Sequence, residues 1–214
     1  MKLDQALRTA KDKFKNGCFE DAHQIYLDIL EKFPKNKIAL QGIKALQRNC
    51  TLEVSRVQNP TPEHMQAILS LYNLRKYHQV LAQTLQILKL FPNSDILYNI
   101  LGVTNTALQQ FDAAIDNFKK AIRINPHYAE VYNNMGLALQ NKNELEKAVE
   151  SYQKAIKINP DYAEAYYNMG IALQGKDKPE EAIECYNQAL KVNPSYVESY
   201  YNMGLAYYEK GDLD

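Results

Sequence analysis

The sequence has few cysteines and lacks the apolar segments of a membrane span or a signal peptide. Its three cysteines, Cys18, Cys50 and Cys185, are odd in number and widely separated, which argues against a disulfide framework and against a zinc site with paired ligands. No apolar run is long enough to span a bilayer, and no apolar segment follows the charged start of the chain. We therefore expect free thiols, no membrane insertion and a cytoplasmic location.

Motifs for catalysis and phosphate binding are also missing. The sequence contains no Gly-rich phosphate loop, no nucleophile elbow and no zinc-binding helix motif, and its four histidines show no ligand spacing. We predict no enzyme activity within these residues, no catalytic residue, no cofactor and no metal.

The charges are unevenly distributed although the formal net charge is zero. Residues 1–94 hold fourteen Lys and Arg against eight Asp and Glu, whereas residues 95–214 hold eleven against seventeen. A nucleic-acid interface needs clustered cations among its aromatic residues, but the tyrosine-rich half of this chain is acidic. We expect no nucleic-acid partner. The uneven charge distribution has two interpretations. The charges belong either to ordinary solvated helix faces or to oppositely charged ends that associate head to tail.

An internal repeat dominates what is present. Residues 129–162 and 163–196 are nearly the same sequence, and Pro126, Pro160 and Pro194 stand at intervals of 34 residues. A fixed period of this size indicates a repeat array in which each unit buries its apolar face against its neighbours.

Each unit divides into two helices. Tyr132, Met135, Gly136 and Leu139 share one face of a first helix, and Ala148, Tyr152, Ala155 and Ile156 repeat that spacing in a second. A short polar turn separates the two helices, and the proline near the end of the unit terminates the second. The unit is therefore predicted to be an antiparallel helix pair.

These residues resemble the tetratricopeptide repeat. The family signature is matched by Tyr132, Gly136, Ala148, Tyr152, Ala155 and Pro160, and in the next copy by Tyr166, Gly170, Ala182, Tyr186, Ala189 and Pro194. The resemblance implies an all-α fold, a right-handed α-solenoid of helix-turn-helix repeats whose first helices line the concave side.

The rest of the chain is predicted to consist of copies or fragments of this unit. Residues 1–48 are interpreted as a divergent repeat plus a capping helix, and residues 49–60, which lack helical periodicity, as a linker. A stack of repeats at 61–94, 95–128, 129–162 and 163–196 follows, with a partial repeat at 197–214. In residues 61–94, Ile68, Val80 and Thr84 replace signature residues, and we expect looser packing there. The partial repeat suggests a fragment of a longer protein whose uncapped C-terminal helix forms a homo-oligomer.

A candidate peptide-binding surface follows from the same pattern. With the core positions turned inward, the first helices are predicted to present a row of residues on the concave face, which are Asn133, Asn134, Leu137, Tyr167, Asn168, Ile171, Tyr201, Asn202 and Leu205. A carboxamide both donates and accepts hydrogen bonds and can satisfy the main chain of an extended peptide. The alternative is that asparagine is merely tolerated on a solvated helix face.

The asparagine placement is similar to that in the repeat regions of O-linked N-acetylglucosamine transferases. The wider arrangement also resembles bacterial proteins whose repeats precede a sulfotransferase or glycosyltransferase domain. Related repeats that capture carboxylate tails have cations at the positions that Glu130, Glu164 and Glu198 occupy in this sequence. We therefore do not expect these repeats to capture a carboxylate. We predict a non-catalytic scaffold for a protein or peptide; the alternatives are the substrate-docking module of a larger transferase and a structural self-assembly element.

Overall fold

A computed structural model describes residues 3–15, 19–56 and 59–211. These residues form twelve α-helices and no strand: α1 (Leu3–Lys15), α2 (Phe19–Lys32), α3 (Lys37–Arg56), α4 (Pro62–Asn73), α5 (Tyr77–Leu88), α6 (Asp95–Ala107), α7 (Phe111–Ile124), α8 (Ala129–Asn141), α9 (Leu145–Ile158), α10 (Ala163–Gln174), α11 (Pro179–Val192) and α12 (Val197–Lys210). The all-α class predicted from the repeat pattern is confirmed. The chain divides into two compact units, Met1–Gln58 and Asn59–Asp214.

The first unit contains α1, α2 and α3. Its core consists of Ala6, Leu7, Ala10, Ala22, Tyr26, Ile29, Ala39 and Leu46. The Tyr26 ring packs directly on Gly42 of α3, where a Cβ atom would lie 2.3 Å from the ring. Helix α3 thus covers the α1–α2 pair. Gly17, which the repeat pattern assigns to the turn, lies outside the described residues.

The segment predicted to be an irregular linker is largely helical. Helix α3 continues to Arg56, so the absence of helix predicted for residues 49–56 is wrong. Thr51 and Val54 are β-branched, but such residues lower helix propensity only slightly, and no proline occurs before Pro60. The division between the two units falls after Gln58, inside the predicted linker.

The second unit is a stack of helix pairs that forms the predicted α-solenoid. Its pairs are α4–α5, α6–α7, α8–α9 and α10–α11, and each second helix also contacts the first helix of the following pair. The first helices α6, α8, α10 and α12 contact one another in sequence. Thr61 caps α4 by accepting a hydrogen bond from the His64 amide, and Pro62 occupies the first turn, as predicted.

Glycine allows the two helices of a pair to approach closely. The rings of Phe118, Tyr152 and Tyr186 are fully buried against the backbones of Gly102, Gly136 and Gly170. A Cβ atom at these glycines would lie 2.4, 2.5 and 2.5 Å from the facing ring. These ring-to-backbone contacts join a continuous core that extends from Ala114 to Ala206.

The α4–α5 pair lacks this contact. Ile68 and Thr84, both fully buried, occupy the positions of the glycine and the aromatic ring. The pair is the most loosely apposed in the second unit, and its core of Ile68, Val80, Ile87, Phe91 and Leu97 is separate from the larger one. The looser packing predicted from these substitutions is confirmed.

Candidate functional site

The predicted peptide-contact residues lie on α8, α10 and α12, but they differ in accessibility. Tyr201 and Leu205 are exposed, and Asn134, Leu137, Tyr167, Ile171 and Asn202 are partly exposed. Asn168 is only 6% exposed, and Asn133 is fully buried. Asn133 therefore cannot contact a peptide, and its assignment to the binding surface is wrong.

The buried asparagines instead join neighbouring first helices. Asn133 on α8 donates from Nδ2 to Oε1 of Glu164 at 3.2 Å, and its Oδ1 accepts from Nδ2 of Asn168 at 3.0 Å. Both partners lie on α10. One repeat earlier, Asn99 on α6 makes the same pair of bonds to Glu130, at 3.2 Å, and to Asn134, at 3.1 Å. We call each such three-residue set a carboxamide clamp.

The third clamp position is modified. Tyr167 replaces the buried asparagine on α10, and its hydroxyl accepts a hydrogen bond from Nδ2 of Asn202 at 3.0 Å. The Tyr167 ring packs on Tyr196, with ring centroids 4.9 Å apart. Burial, followed by the neighbouring charges of Glu164, Tyr167 and Glu198, raises the pKa of Tyr196 to about 12. The α10–α12 contact is thus more aromatic than the two clamps before it.

The clamps fix the orientation of the carboxamides. An ionised carboxylate only accepts hydrogen bonds, so Nδ2 of Asn99 and of Asn133 must face its glutamate. Their Oδ1 atoms then face the next asparagine, whose Nδ2 group donates the bond. Within the described residues, no hydrogen bond ends on Oδ1 of Asn134, Asn168 or Asn202. These three oxygens form a row of acceptors spaced 34 residues apart.

The clamps also explain the acidic residues near the starts of α8 and α10. Glu130 and Glu164 are exposed, yet each accepts a hydrogen bond from a buried asparagine of the preceding repeat. Tyr128 and Tyr162 lie beside them. Their pKa values are raised first by burial and second by the nearby glutamate carboxylate, Glu130 for Tyr128 and Glu164 for Tyr162. Both phenols are therefore neutral hydrogen-bonding groups around neutral pH.

The surface extends one repeat further than the sequence analysis predicted. We define the ladder surface as the residue at the donating position and the apolar residue three positions later on each first helix, together with the accessible Tyr167 and Tyr201. On α6 these positions hold Ile100 and Val103. They stand 34 residues before Asn134 and Leu137, so applying the repeat period backwards would have identified them.

A cavity of about 160 Å³ lies at this end of the ladder surface. It is lined by Ile68, Leu69 and Tyr72 of α4 and by Ile100 and Val103 of α6, with Asn99 and Glu130 as its polar lining. A second, larger depression of about 510 Å³ between α7, α8 and α9 is lined mainly by charged residues of both signs. The two sites are therefore chemically different.

The charged residues of four of the first helices have the same sign. Helices α4, α6, α8 and α10 contain no lysine or arginine, and their charged residues are Glu63, Asp95, Glu130 and Glu164. Seven of the fourteen Lys and Arg of the second unit lie on the second helices, such as Lys119 and Arg123 on α7 and Lys154 on α9, and the others lie in or next to the turns, apart from Lys210 on α12. The charged residues that flank the ladder surface on α4, α6, α8 and α10 are therefore all acidic.

Groups suited to other chemistry are scarce in the described part of the chain. Among residues 3–15, 19–56 and 59–211, no cluster of three or more His, Cys, Asp or Glu side chains could hold a metal ion. Burial, followed by the charges of Glu184 and Glu181, raises the pKa of the Cys185 thiol to about 12, which keeps it protonated and unreactive. Over the same residues, no helix is both long and apolar enough to cross a membrane.

Comparison with protein families gives one match. A family profile described as TPR repeat matches residues 102–143, 141–177 and 176–211. Together these segments cover about half of the chain and include the last three repeats. No curated protein matches the sequence significantly.

Solved structures share the fold. The crystal structure of MamA is 25% identical, covers 88% of this chain and 96% of its own, and has a TM-score of 0.57. YrrB, described as a TPR protein with an unusual peptide-binding site, is 18% identical over 92% of this chain and 89% of its own, with a TM-score of 0.57. The first TPR of Spaghetti (RPAP3), bound to the HSP90 peptide SRMEEVD, is 21% identical over 55% of this chain and 93% of its own, with a TM-score of 0.53.

Proposed function

Because the chain belongs to the tetratricopeptide repeat family, we propose that it is a non-catalytic scaffold that binds an extended peptide or partner segment along the ladder surface. The observation that carries this proposal is the row of Oδ1 acceptors on Asn134, Asn168 and Asn202, whose orientation is set by the repeats themselves. The repeat sequence provides such acceptors at regular intervals, and an extended main chain offers amide donors at regular intervals too.

The strength of binding can be bounded from the available groups. Each net hydrogen bond contributes about 0.5–1.5 kcal/mol, and Asn134 and Asn202 are more accessible than Asn168. Leu137, Ile171 and Tyr201 add apolar contact area beside the acceptors. Two or three hydrogen bonds with modest apolar burial are typical of micromolar rather than nanomolar affinity, since each tenfold in affinity requires about 1.4 kcal/mol.

The comparisons support peptide binding as the role of related folds and leave the partner open. One related structure is described by its peptide-binding site, and another contains a peptide whose last residues are Glu-Glu-Val-Asp. In this chain the charged residues that flank the ladder surface on α6, α8 and α10 are acidic, so capture of an acidic tail is disfavoured by charge repulsion. A neutral or basic segment fits better.

A selection experiment tests the proposed function. Random peptides displayed on phage would be selected on the intact protein, and the affinities of the selected peptides would be measured by calorimetry. Asn202→Ala is the first variant, because its partner, the Tyr167 hydroxyl, is in a partly exposed side chain that can bond to water. Loss of one hydrogen bond should weaken binding by about two- to ten-fold.

The triple variant Asn134→Ala, Asn168→Ala and Asn202→Ala should weaken binding further. It also leaves the Oδ1 atoms of Asn99 and Asn133 without donors, so its folding must be checked by circular dichroism. Asn117→Ala, at a partly exposed asparagine on α7, is the control. Affinity that is unchanged in the triple variant while the fold is intact would contradict the proposal.

Self-association is a second candidate, favoured by the surface of α12. Val197, Tyr200, Tyr201 and Tyr208 are between 52% and 71% exposed. A Cβ atom at Gly204 would have no neighbour within 4 Å. Sedimentation over a concentration series tests this, and Tyr208→Lys should shift any dimer towards monomer. A strict monomer at high concentration contradicts it.

The third candidate is a docking module of a larger transferase. It is supported only by the resemblance of the repeat sequences to those that precede transferase domains. Reading the gene beyond the codon for Asp214 tests it, because a stop codon there eliminates the idea.

A further inference from the structure

In the described part of the chain, the hydrogen bonds that join successive first helices are missing between α4 and α6. Between later repeats, the donating asparagine reaches back to the preceding first helix, as Asn134 does to Asn99 at 3.1 Å. The equivalent residue on α6 is Ile100, which has no side-chain donor and cannot make such a bond to α4. Hydrocarbon replaces the hydrogen-bonded link, and the cavity of about 160 Å³ lies at this step.

The walls of this cavity are apolar and well supported. Ile68 is fully buried, and the Tyr72 ring packs edge-on against Tyr77 of α5, with ring centroids 5.4 Å apart. Leu69 is half exposed at 51% and marks the side that is open to solvent. Water in a space with apolar walls forms few hydrogen bonds, so replacing it with hydrocarbon favours binding.

The size of the cavity limits what can enter it. An apolar cavity of about 150 Å³ holds a benzene molecule. The cavity between α4 and α6, of about 160 Å³, is of similar size and suits one leucine, methionine or phenylalanine side chain. It does not suit a helix or a folded domain.

The rim of the cavity defines the charge of the occupant. The Glu130 carboxylate lies at the polar end and accepts a hydrogen bond from Asn99, and the charged residues of α4 and α6, Glu63 and Asp95, are acidic as well. An occupant that carried carboxylates would be repelled, whereas lysine or arginine beside the apolar side chain would be attracted. The size of the cavity therefore favours a ligand with one large apolar side chain, and the acidic rim favours basic residues beside that side chain.

We propose that the cavity between α4 and α6 is the specificity pocket of the ladder surface and binds one large apolar side chain of a basic, extended peptide. A lysine or arginine of the same peptide pairs with Glu130. This inference rests on the proposed function, because the peptide main chain runs along the carboxamide row from the pocket.

Three labelled synthetic peptides test the pocket by fluorescence anisotropy on the full chain. The first is Lys-Ala-Lys-Ala-Phe-Ala-Lys-Ala-Lys. The second has alanine in place of phenylalanine, and the third has glutamate in place of every lysine. Burial of the phenyl group predicts about ten-fold or more preference for the first peptide over the second. The third should bind more weakly than the first, and added salt should weaken the first.

Two tryptophan variants locate the preference. Val103→Trp fills the pocket and should reduce the preference for phenylalanine over alanine to about one-fold. Leu27→Trp places the same side chain on α2, outside the ladder surface, at a residue that is 43% exposed, and should leave the preference unchanged. The ratio of two affinities is insensitive to a general loss of binding, so the comparison remains valid if either variant is slightly destabilised.

The outcomes separate the pocket from the wider function. Equal binding of the phenylalanine and alanine peptides, a preference that persists in Val103→Trp, or equal binding of the acidic peptide would overturn the pocket. If binding of the alanine peptide still falls in Asn202→Ala, peptide binding on the ladder surface survives without the pocket. If none of the three peptides binds and the phage selection also fails, both proposals are overturned.

Discussion

Gly136 and Gly204 occupy the same position in two repeats but have opposite surroundings. A Cβ atom at Gly136 would lie 2.5 Å from the buried Tyr152 ring, whereas a Cβ atom at Gly204 would meet nothing within 4 Å. Glycine is therefore required by packing at the first position and is only a poor helix former at the second. The same residue in the same motif has two different energetic roles.

This difference predicts opposite effects of alanine. Gly136→Ala should lower the free energy of unfolding by up to about 2 kcal/mol, because the overpacking cost of about 1–3 kcal/mol exceeds the gain of about 1 kcal/mol in helix propensity. Gly204→Ala should raise it by up to about 1 kcal/mol through helix propensity alone. Urea denaturation followed by circular dichroism measures both. A stabilising Gly136→Ala would show that the ring can move away without cost.

The sequence predicted the core residues better than the surface residues. Tyr152, Gly136 and Ala148 follow a period and a size pattern that packing alone imposes, and they are buried as predicted. Asn133 and Asn134 are adjacent and identical in chemistry. Asn133 is nevertheless fully buried, whereas Asn134 is partly exposed. Asn133 donates to Glu164 of the following repeat, whereas Asn134 donates to Asn99 of the preceding repeat, and helical periodicity within one repeat does not contain that information.

At the scale of elements, the turn inside each repeat is a left-handed helix ending. Arg75, Gln109, Asn143 and Asp177, spaced 34 residues apart, have φ values of 55°, 59°, 65° and 59°. After α6, the amide of Gln110 donates to the Asn105 carbonyl at 2.8 Å and that of Gln109 to the Thr106 carbonyl at 2.9 Å. This pair of hydrogen bonds is the Schellman motif, whose left-handed position favours glycine or asparagine.

Gln109→Gly is therefore expected to stabilise the protein by about 0.5–1 kcal/mol. The left-handed conformation costs about 1–2 kcal/mol at a residue with a Cβ atom, and the greater freedom of glycine in the unfolded chain offsets part of the gain. Asn143→Gly is the matched control and should change stability less, because asparagine tolerates this conformation. Thermal denaturation compares the two. An equal gain at both positions would contradict the assigned strain at Gln109.

A network of ion pairs at the turn of the repeat 129–162 links this repeat to the preceding one. Lys142 contacts Asp112 of α7 at 2.7 Å and Glu144 at 2.6 Å, and Glu144 also contacts Lys147 at 2.6 Å. The hydrogen bonds from Lys142 and then Lys147 lower the pKa of Glu144 to about 2, and those to Asp112 and then Glu144 raise the pKa of Lys142. The groups are exposed, so solvent screens the interaction.

The depressed pKa of Glu144 gives a pH-dependent contribution to stability. The contribution is present above the ordinary carboxyl pKa of 4.5 and is lost as the pH falls through about 2. Glu144→Gln should lower the melting temperature slightly at neutral pH, and the difference should shrink between about pH 4.5 and pH 2. Glu150→Gln, within the following helix α9, is the control. A difference between the wild type and Glu144→Gln that does not vary with pH would contradict the ion pair.

At the scale of the second unit, stability is expected to increase along the stack. The repeats from 95 to 196 share one continuous core, whereas α4 and α5 have a smaller separate one. The buried Thr84 Oγ1 atom, which has no hydrogen-bond partner among the described residues, further weakens the α4–α5 pair. Repeat stacks allow such local differences because each repeat contacts only its neighbours.

Hydrogen exchange measured by mass spectrometry on the native chain should show this gradient. Amides of α4 and α5 should exchange faster than those of α8, α9, α10 and α11, because local opening of the first pair breaks less of the shared core. The pairs α8–α9 and α10–α11 are nearly identical and should exchange alike, which provides the internal control. Equal protection of α4–α5 and α8–α9 would contradict the prediction.

The carboxamide clamp lets units of this array be exchanged for one another. The Asn133 side chain requires only a glutamate and an asparagine, four residues apart, near the start of the first helix of the next repeat. The pairs Glu130–Asn134 and Glu164–Asn168 both meet that requirement. A duplicated copy of residues 129–162, inserted after Tyr162, would have every clamp satisfied on both sides. A gene encoding these residues can therefore lengthen by whole units without creating an incompatible junction, whereas duplication at the apolar α4–α6 step would not add a clamp.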